Sequence, residues 1–264
     1  MNKLILGRYF PGGSLIHRLD PRAKLISAIY FIFVLFLANN WQTYLLLWIF
    51  TIIVMHLTAV RLQIFLRGVR PLIWLILFTV FLQILFTAGG DIYIDWGPIT
   101  ISQFGLIHGF YIFCRFVMII FISTVVTFTT KPIDLTDGIN FLLHPFRKLN
   151  IPVDELSLML SISLRFVPTL LDETQKIMDA QRARGTEFGE GSLFNQMKTL
   201  VPIFLPLFVS SLNRAEVMAN VMEVRGYQSD GKRSSFRQLQ WNITDTCCLF
   251  VMLLLTIGLF LIRM

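Results

Sequence analysis

Apolar residues run in long blocks along most of this chain, and polar residues are confined to short joints and to one extended stretch ahead of the C-terminus. At about 1.5 Å of rise per helical residue, blocks of this length approach the ~30 Å hydrocarbon layer of a bilayer, so they predict transmembrane helices. The first span runs to about residue 38. Asp20 is placed to cap it and Pro21 to open it, because proline lacks an N–H that would be unpaired at that position anyway. An uncharged turn, Asn39-Asn40-Trp41-Gln42, leads to a second span over 44–60. Arg61, Arg67 and Arg70 mark the next joint, and Pro71 opens a third span to about residue 88. The loop 89–103 contains Asp91 and Asp95 but no Lys or Arg, and its run 92–96 with Gly97-Pro98 predicts a short hairpin or an interfacial segment. The fourth span covers 104–129 and the last 243–261.

Between these last two spans the pattern changes to a helical period. Pro132 and Asp134 begin a short helix that Pro145 ends, and Pro152, followed by Asp154 and Glu155, starts a long one reaching Arg184. Asp154, Ser161, Arg165, Asp172, Lys176 and Asp179 form one polar stripe along it, while Leu156, Leu160, Val167, Leu170, Leu171 and Met178 fall on other faces. Pro168 is expected to bend it. A second long unit starts near Ser192 and ends at Arg225. Its middle, 200–209, is apolar on every side but too short to cross a bilayer, which places it in or along the membrane boundary. Pro202 and Pro206 are expected to break its regularity. Beyond them Ser211, Ala215 and Ala219 put a small residue at every fourth position, opposite a polar face of Asn213, Glu216, Asn220 and Glu223. Small residues at that spacing allow close approach of two helix backbones, and Ser157 and Ser161 repeat the device on the first helix. The two long helices are therefore expected to cross in contact, unless these are ordinary small residues of a bundle core.

Both long helices stop on nearly the same tripeptide, Ala183-Arg184-Gly185 and Val224-Arg225-Gly226, with the arginines 41 positions apart. Glycine turns a chain out of a helix in the left-handed conformation, so each arginine is expected in a last helical turn. A cation there complements the helix dipole. An arginine fork on a rigid helix end is also an anchor for a partner's carboxylate.

Composition narrows the class. Of 264 residues, 55% are hydrophobic and only 15% charged, with a mean hydropathy of +0.68, which describes an integral membrane protein. The predicted fold is all-α: a polytopic membrane protein with about five transmembrane helices plus a cytoplasmic helical region of two long crossing amphipathic helices. Its parts are 1–130 (the N-terminal segment, with Lys3 and Arg8, and four spans), 131–241 (the cytoplasmic helical region) and 242–264 (the last span). The net charge of +7 follows the topology. Lys and Arg gather in the N-terminal segment, at the joint 61–70 and in the region 131–241, and are absent from the two intervening loops. The positive-inside rule then puts the N-terminus in the cytoplasm and the C-terminus outside, and no nucleic-acid partner is needed to explain the charge. Met1-Asn2-Lys3 leads into no apolar core with a small-residue cleavage site, so no removable signal peptide is expected.

Catalytic chemistry finds little support. The spans contain no Glu, and Asp245 is their single Asp. Cys114, Cys247 and Cys248 lie in apolar segments, and His17, His56, His108 and His144 are scattered without ligand spacing, so no metal site is expected. Arg115 is an intramembrane cation, suited to internal pairing or to a subunit interface. The stretch 226–232 reads Gly-x-x-x-x-Gly-Lys, but Arg233 follows where a phosphate-binding loop needs Ser or Thr, so ATP binding by this chain is not expected. Met159, Met178, Met197, Met218 and Met222 on the long helices suit either core filling or adaptable contact with partners.

The run Gly13-Ser14-Leu15-Ile16-His17-Arg18-Leu19-Asp20-Pro21-Arg22-Ala23-Lys24, together with the two Arg-Gly helix ends, closely resembles the transmembrane T component of energy-coupling factor transporters, and the resemblance runs the length of the chain. The resemblance implies a bacterial cell-membrane complex in which the T component joins two ATP-binding-cassette ATPases to a small membrane S component that captures a vitamin or metal ion. It implies ATPase docking by Ala183, Arg184, Gly185, Arg225 and Gly226. Val224 departs from the family's Ala, and the packing of the second end is expected to differ slightly. ATP and Mg would reside on the ATPases, with no cofactor on this chain. Ser157, Ser161, Ser211, Ala215, Ala219, Met218 and Met222 are the candidates for the helix crossing and the S-component interface. The rival classes are a stand-alone carrier and a membrane-embedded enzyme.

Overall fold

The computed structural model describes residues 12–87, 89, 91–96, 99–143, 153–186, 188, 192–228 and 239–263. Lys3 and Arg8, the Gly97-Pro98 turn, the break at Pro145, the opening at Pro152, His144 and the stretch 229–238 with Lys232 and Arg233 lie outside the described residues. The architecture is the expected all-helical one, with a single strand pair among the described residues. The chain divides into two compact units, 1–142 with 239–264 and 143–238.

In the first unit, Ser14 caps the short α1 (Leu15–Arg18) by accepting from His17 N. Asp20 caps α2 (Pro21–Leu37): its carboxylate accepts from Arg22 N at 2.8 Å, and Pro21 is the first helical residue, as the sequence predicts. α3 (Trp41–Leu57) follows the polar turn. The third span differs from expectation. The arginine-marked joint is itself a helix, α4 (Leu62–Val69), and α5 (Ile73–Phe86) begins after Pro71, with the two axes bent by 59°. A proline N–H is missing at the break, and Phe65 and Val69, one turn apart, bury the inner face of α4. Strands β1 (Ile92–Trp96) and β2 (Ile99–Ser102) pair antiparallel, taking the hairpin option of the sequence reading.

The longest helix of this unit, α6 (Gln103–Thr129), starts at Ser102, which accepts from Gly105 N at 3.1 Å and donates to Thr87 O at 2.7 Å. It contributes to both apolar clusters. Met118 and Ile122 pack with Phe31, Leu35 and Leu47 and with Met252 and Leu259 of α10 (Ile243–Arg263). Val117 and Phe121 pack with Met55, Phe65 and Val69, and Phe121 meets Trp48 and Phe65 edge to face at ring distances of 6.0 Å. α7 (Pro132–Leu143), which the sequence groups with the region after residue 130, packs on α2: Gly138 lies against Leu25 and Pro21, and Arg22 stacks on Phe141 at 4.3 Å.

Large apolar side chains also point outward. Trp74 is 79% exposed, Phe86 70% and Phe33 68%, an arrangement stable in lipid and costly in water. By length and composition, three helices can cross a membrane: Gln103–Thr129, Met197–Val224 and Ile243–Ile262; the bent pair Leu62–Val69 with Ile73–Phe86 makes a fourth if taken as one broken span. α2 and α3, at 17 residues each, stand at the short end of the spanning range.

The second unit is a pair of long helices, α8 (Val153–Ala183) and α9 (Leu193–Val224). Both continue through their prolines, Pro168 in α8 and Pro202 and Pro206 in α9, where the sequence reading expects interruption in α9. A proline removes one backbone donor, which flanking turns of a long helix can outweigh. The apolar stretch of α9 accordingly belongs to an unbroken helix of 32 residues, of which the 28 residues Met197–Val224 are long and apolar enough to cross a membrane, where the isolated middle segment is too short.

Candidate functional site

The two Arg-Gly ends close with the same backbone hydrogen-bond pattern. Gly185 has φ +87° and Gly226 φ +74°, the left-handed region that ordinary L-residues rarely enter. At the first end Gly185 N donates to Arg182 O at 2.9 Å and Thr186 N to Gln181 O at 3.0 Å. At the second, Gly226 N donates to Glu223 O at 2.9 Å and Tyr227 N to Met222 O at 2.9 Å. Each is the paired crossing bond of a Schellman cap, which satisfies the last helical carbonyls and fixes the direction in which the chain leaves.

The last helical residues are Ala183 and Val224, so both arginines occupy the cap position one residue later than the sequence reading puts them. Each still donates its N–H into the helix, Arg184 to Ala180 O at 3.2 Å and Arg225 to Val221 O at 3.1 Å. Both side chains are exposed, and no hydrogen bond or ion pair engages either guanidinium among the described residues. Arg182, two positions earlier, differs: it is held by Asp179 of its own helix at 2.9 Å. Val224 is 88% exposed, so its side chain, larger than the Ala that the resemblance led us to expect there, stands clear of the described residues.

Further back, α8 and α9 line a half-open groove of about 660 Å³. Ser211, Ala215, Met218, Ala219 and Met222 line it from α9, so the small-residue stripe and two of the singled-out methionines share the face turned to α8. Opposite them stand Met159, Ile162, Phe166 and Leu170 rather than a matching small stripe; Ser157 and Ser161 are half-buried and do not line it. Sequence reasoning missed the polar contact at this crossing. Arg214 Nη2 donates to Glu173 Oε2 at 3.1 Å, Ser210 Oγ donates to Glu173 Oε1, and the Arg214 guanidinium lies 5.5 Å from the Phe166 ring. The available signal was positional: Glu173 and Arg214 are separated by 41 residues, as are the two cap arginines.

In the first unit, Arg115 resolves toward internal pairing. Its Nη2 donates to Tyr44 Oη at 2.8 Å and its guanidinium stacks on Phe36 at 5.0 Å. A buried polar cluster ties the motif around Asp20 to two other elements. Asp245, fully buried, accepts from Asp20 N at 2.8 Å through one oxygen and from Asn242 N at 2.8 Å through the other. Lys24 Nζ donates to Thr129 O at 2.9 Å and to His17 O at 3.2 Å. Among the described residues no group of three or more His, Cys, Asp or Glu is placed to hold a metal ion.

The Cobalt transport protein family (CbiQ) matches residues 12–235. The chain is 58% identical over 263 residues to the "Energy-coupling factor transporter transmembrane protein EcfT 1" of Listeria monocytogenes, covering 100% of this chain and 99% of that one. It is 54% identical to the corresponding protein of Lacticaseibacillus paracasei, covering 100% of both chains, and 48% identical to that of Bacillus subtilis, covering 100% and 99%.

Proposed function

The chain belongs to the Cobalt transport protein family, and within it to the energy-coupling factor transporter transmembrane proteins; from that premise we propose that it is the mechanical coupler of an ATP-driven importer. Arg184 and Arg225, with Ala183, Gly185, Val224 and Gly226, dock two ATP-binding-cassette ATPases, one at each helix end. ATP and Mg bind those ATPases, and this chain carries no cofactor. When the ATPases change their spacing, α8 and α9 follow. Their apolar faces, with Met218 and Met222 and the small residues beside them, then repack against a small membrane S component that captures a vitamin or other micronutrient and reorient it. The N-terminus and the helix ends face the cytoplasm and the C-terminus faces outward, in keeping with the Lys and Arg placement.

One observation carries this reading: two helix ends with the same cap geometry each hold out an exposed arginine whose guanidinium is engaged by no other residue among those described. A guanidinium fork held this way is preorganised for a carboxylate, and truncating one member of a buried pair of that kind costs about 2–5 kcal/mol, some 30-fold or more in affinity. Arg184→Ala with Arg225→Ala is expected to abolish ATP-driven uptake in proteoliposomes and to lose the ATPases on mild-detergent co-purification. Normal uptake by the double variant would refute the docking role. Turnover by the purified chain alone, or uptake without ATPases, would move the assignment to an enzyme or a stand-alone carrier.

A further inference from the structure

We propose that the Glu173–Arg214 pair is the fulcrum of the two-helix lever, a positioning contact that makes motion at one cap arginine felt at the other. This rests on the coupling role given above. The two residues occupy matched places: Glu173 lies eleven residues ahead of Arg184, and Arg214 lies eleven residues ahead of Arg225. Two rods that touch at matched places have arms of equal length beyond the contact, here about 16 Å at ~1.5 Å per residue. Eleven residues is close to three full turns, so each arm's arginine leaves its helix on nearly the face that carries the pair. No proline falls within either arm; Pro168, Pro202 and Pro206 all precede the contact.

The chemistry of the contact suits the role. Most of the crossing beside this pair is apolar, with Met159, Ile162, Leu170, Ala215 and Met218, and apolar packing is non-directional, so it opposes sliding and rotation weakly. Glu173 supplies direction. One carboxylate oxygen takes Arg214 and the other takes Ser210, two residues one turn apart on α9. Gripping a helix at two points one turn apart fixes both its axial position and its rotation. Phe166 backs the guanidinium from α8, and the half-buried setting strengthens the pair relative to a solvent-exposed one.

The test uses the complete transporter in proteoliposomes. Glu173→Gln keeps the side chain's shape and removes its charge; Arg214→Met removes the partner; Glu173→Arg with Arg214→Glu exchanges them. Both single variants are expected to retain the ATPases and hydrolyse ATP within twofold of the parent while uptake per ATP falls at least fivefold, and the exchange is expected to recover more than half of that loss. Spin labels at A180C and V221C, exposed sites matched by the same 41-residue offset, with Cys247 and Cys248 replaced, are expected to give a narrow distance distribution that broadens in Glu173→Gln and narrows again on exchange. An unchanged uptake-to-hydrolysis ratio in both single variants would overturn the fulcrum, as would an exchange no better than the singles, or loss of the assembled complex in singles and exchange alike. The parallel Arg184→Ala, Arg225→Ala variant separates the two ideas: retained ATPases there would strike the docking reading, whereas their loss beside an unchanged ratio in Glu173→Gln would strike the fulcrum alone.

Discussion

Replacing Gly185 by Ala isolates the part played by the helix cap in presenting Arg184. A Cβ built at this position meets no heavy atom within 4 Å, so no clash contributes, and the whole penalty lies in the backbone at φ +87°. Holding an L-residue in that region costs about 1–2 kcal/mol. The chain can escape the strain by abandoning the cap, which releases the bonds from Gly185 N to Arg182 O and from Thr186 N to Gln181 O. The freed carbonyls then turn to water, and Arg184 loses its fixed exit direction. Apparent affinity falls by the fraction of ends still capped, so the loss is bounded by the strain, about 5- to 30-fold. Asn tolerates the left-handed region better than Ala, and Gly185→Asn is expected to lose much less. Titrating purified ATPases onto the chain in lipid nanodiscs reads these differences directly. In an Arg184→Ala background the glycine substitution should add nothing, because the glycine acts only through the arginine. Ala and Asn variants that bind equally, or a full additional loss in the Arg184→Ala background, would refute the reasoning. Gly226, at φ +74° and equally open, is expected to behave the same way.

Asp245→Ala leaves the N–H groups of Asp20 and Asn242 without their acceptor; at about 1–3 kcal/mol each, the melting temperature in detergent should drop by roughly 10 °C, and a shift under about 2 °C would mean the cluster bears no weight. Tyr44→Phe removes a bond to a charged donor and should cost about 1.5–3 kcal/mol in the parent but little in an Arg115→Met background; equal thermal shifts in both would show that the hydroxyl acts elsewhere. Arg182→Ala breaks an exposed ion pair within one helix, so it should change stability by under about 1 kcal/mol and leave ATPase co-purification intact; loss of the ATPases would make Arg182 a docking residue too.

What the sequence shows and hides follows from the kind of partner each residue has. Asp20 with Pro21, and the two glycine stops, act on the backbone next to them, so local chemistry announced them. Asp245 stood out as the single acid of the spans, but its partners are backbone N–H groups, one of them 225 residues away, and a backbone partner leaves no mark in side-chain pattern. α4 was obscured by its charges: Arg61, Arg67 and Arg70 read as a joint, although Phe65 and Val69 carried the one-turn spacing of a buried face. Pro202 and Pro206 misled in the other direction, since two missing donors do not stop a helix of 32 residues. Glu173 was invisible to periodicity because it stands beside the polar stripe that includes Asp172 and Lys176 rather than apart from it.

The two units hold themselves together by different means, and the difference bears on function. Around α6 the first unit has interlocked aromatic and aliphatic packing, and rearranging it would open cavities at several kcal/mol each. In α8 and α9 only Val153 and Ile203 are fully buried apolar residues among those described, while Val201, Phe204, Leu205, Phe208 and Leu212 stand outward. Such a face can exchange one apolar neighbour for another at little net cost, because no packed core of its own has to be dismantled. Stiffness then has to come from within each helix. Along the last turns of α8 it is supported by Asp179, which accepts from Gln175 and Arg182 at 2.9 Å each, and by the caps that stop the ends from fraying. A pair of rods stiff along their length, joined by a directional contact and apolar but uncommitted on their flanks, can move as a body against a changing neighbour, which an ordinary packed bundle resists.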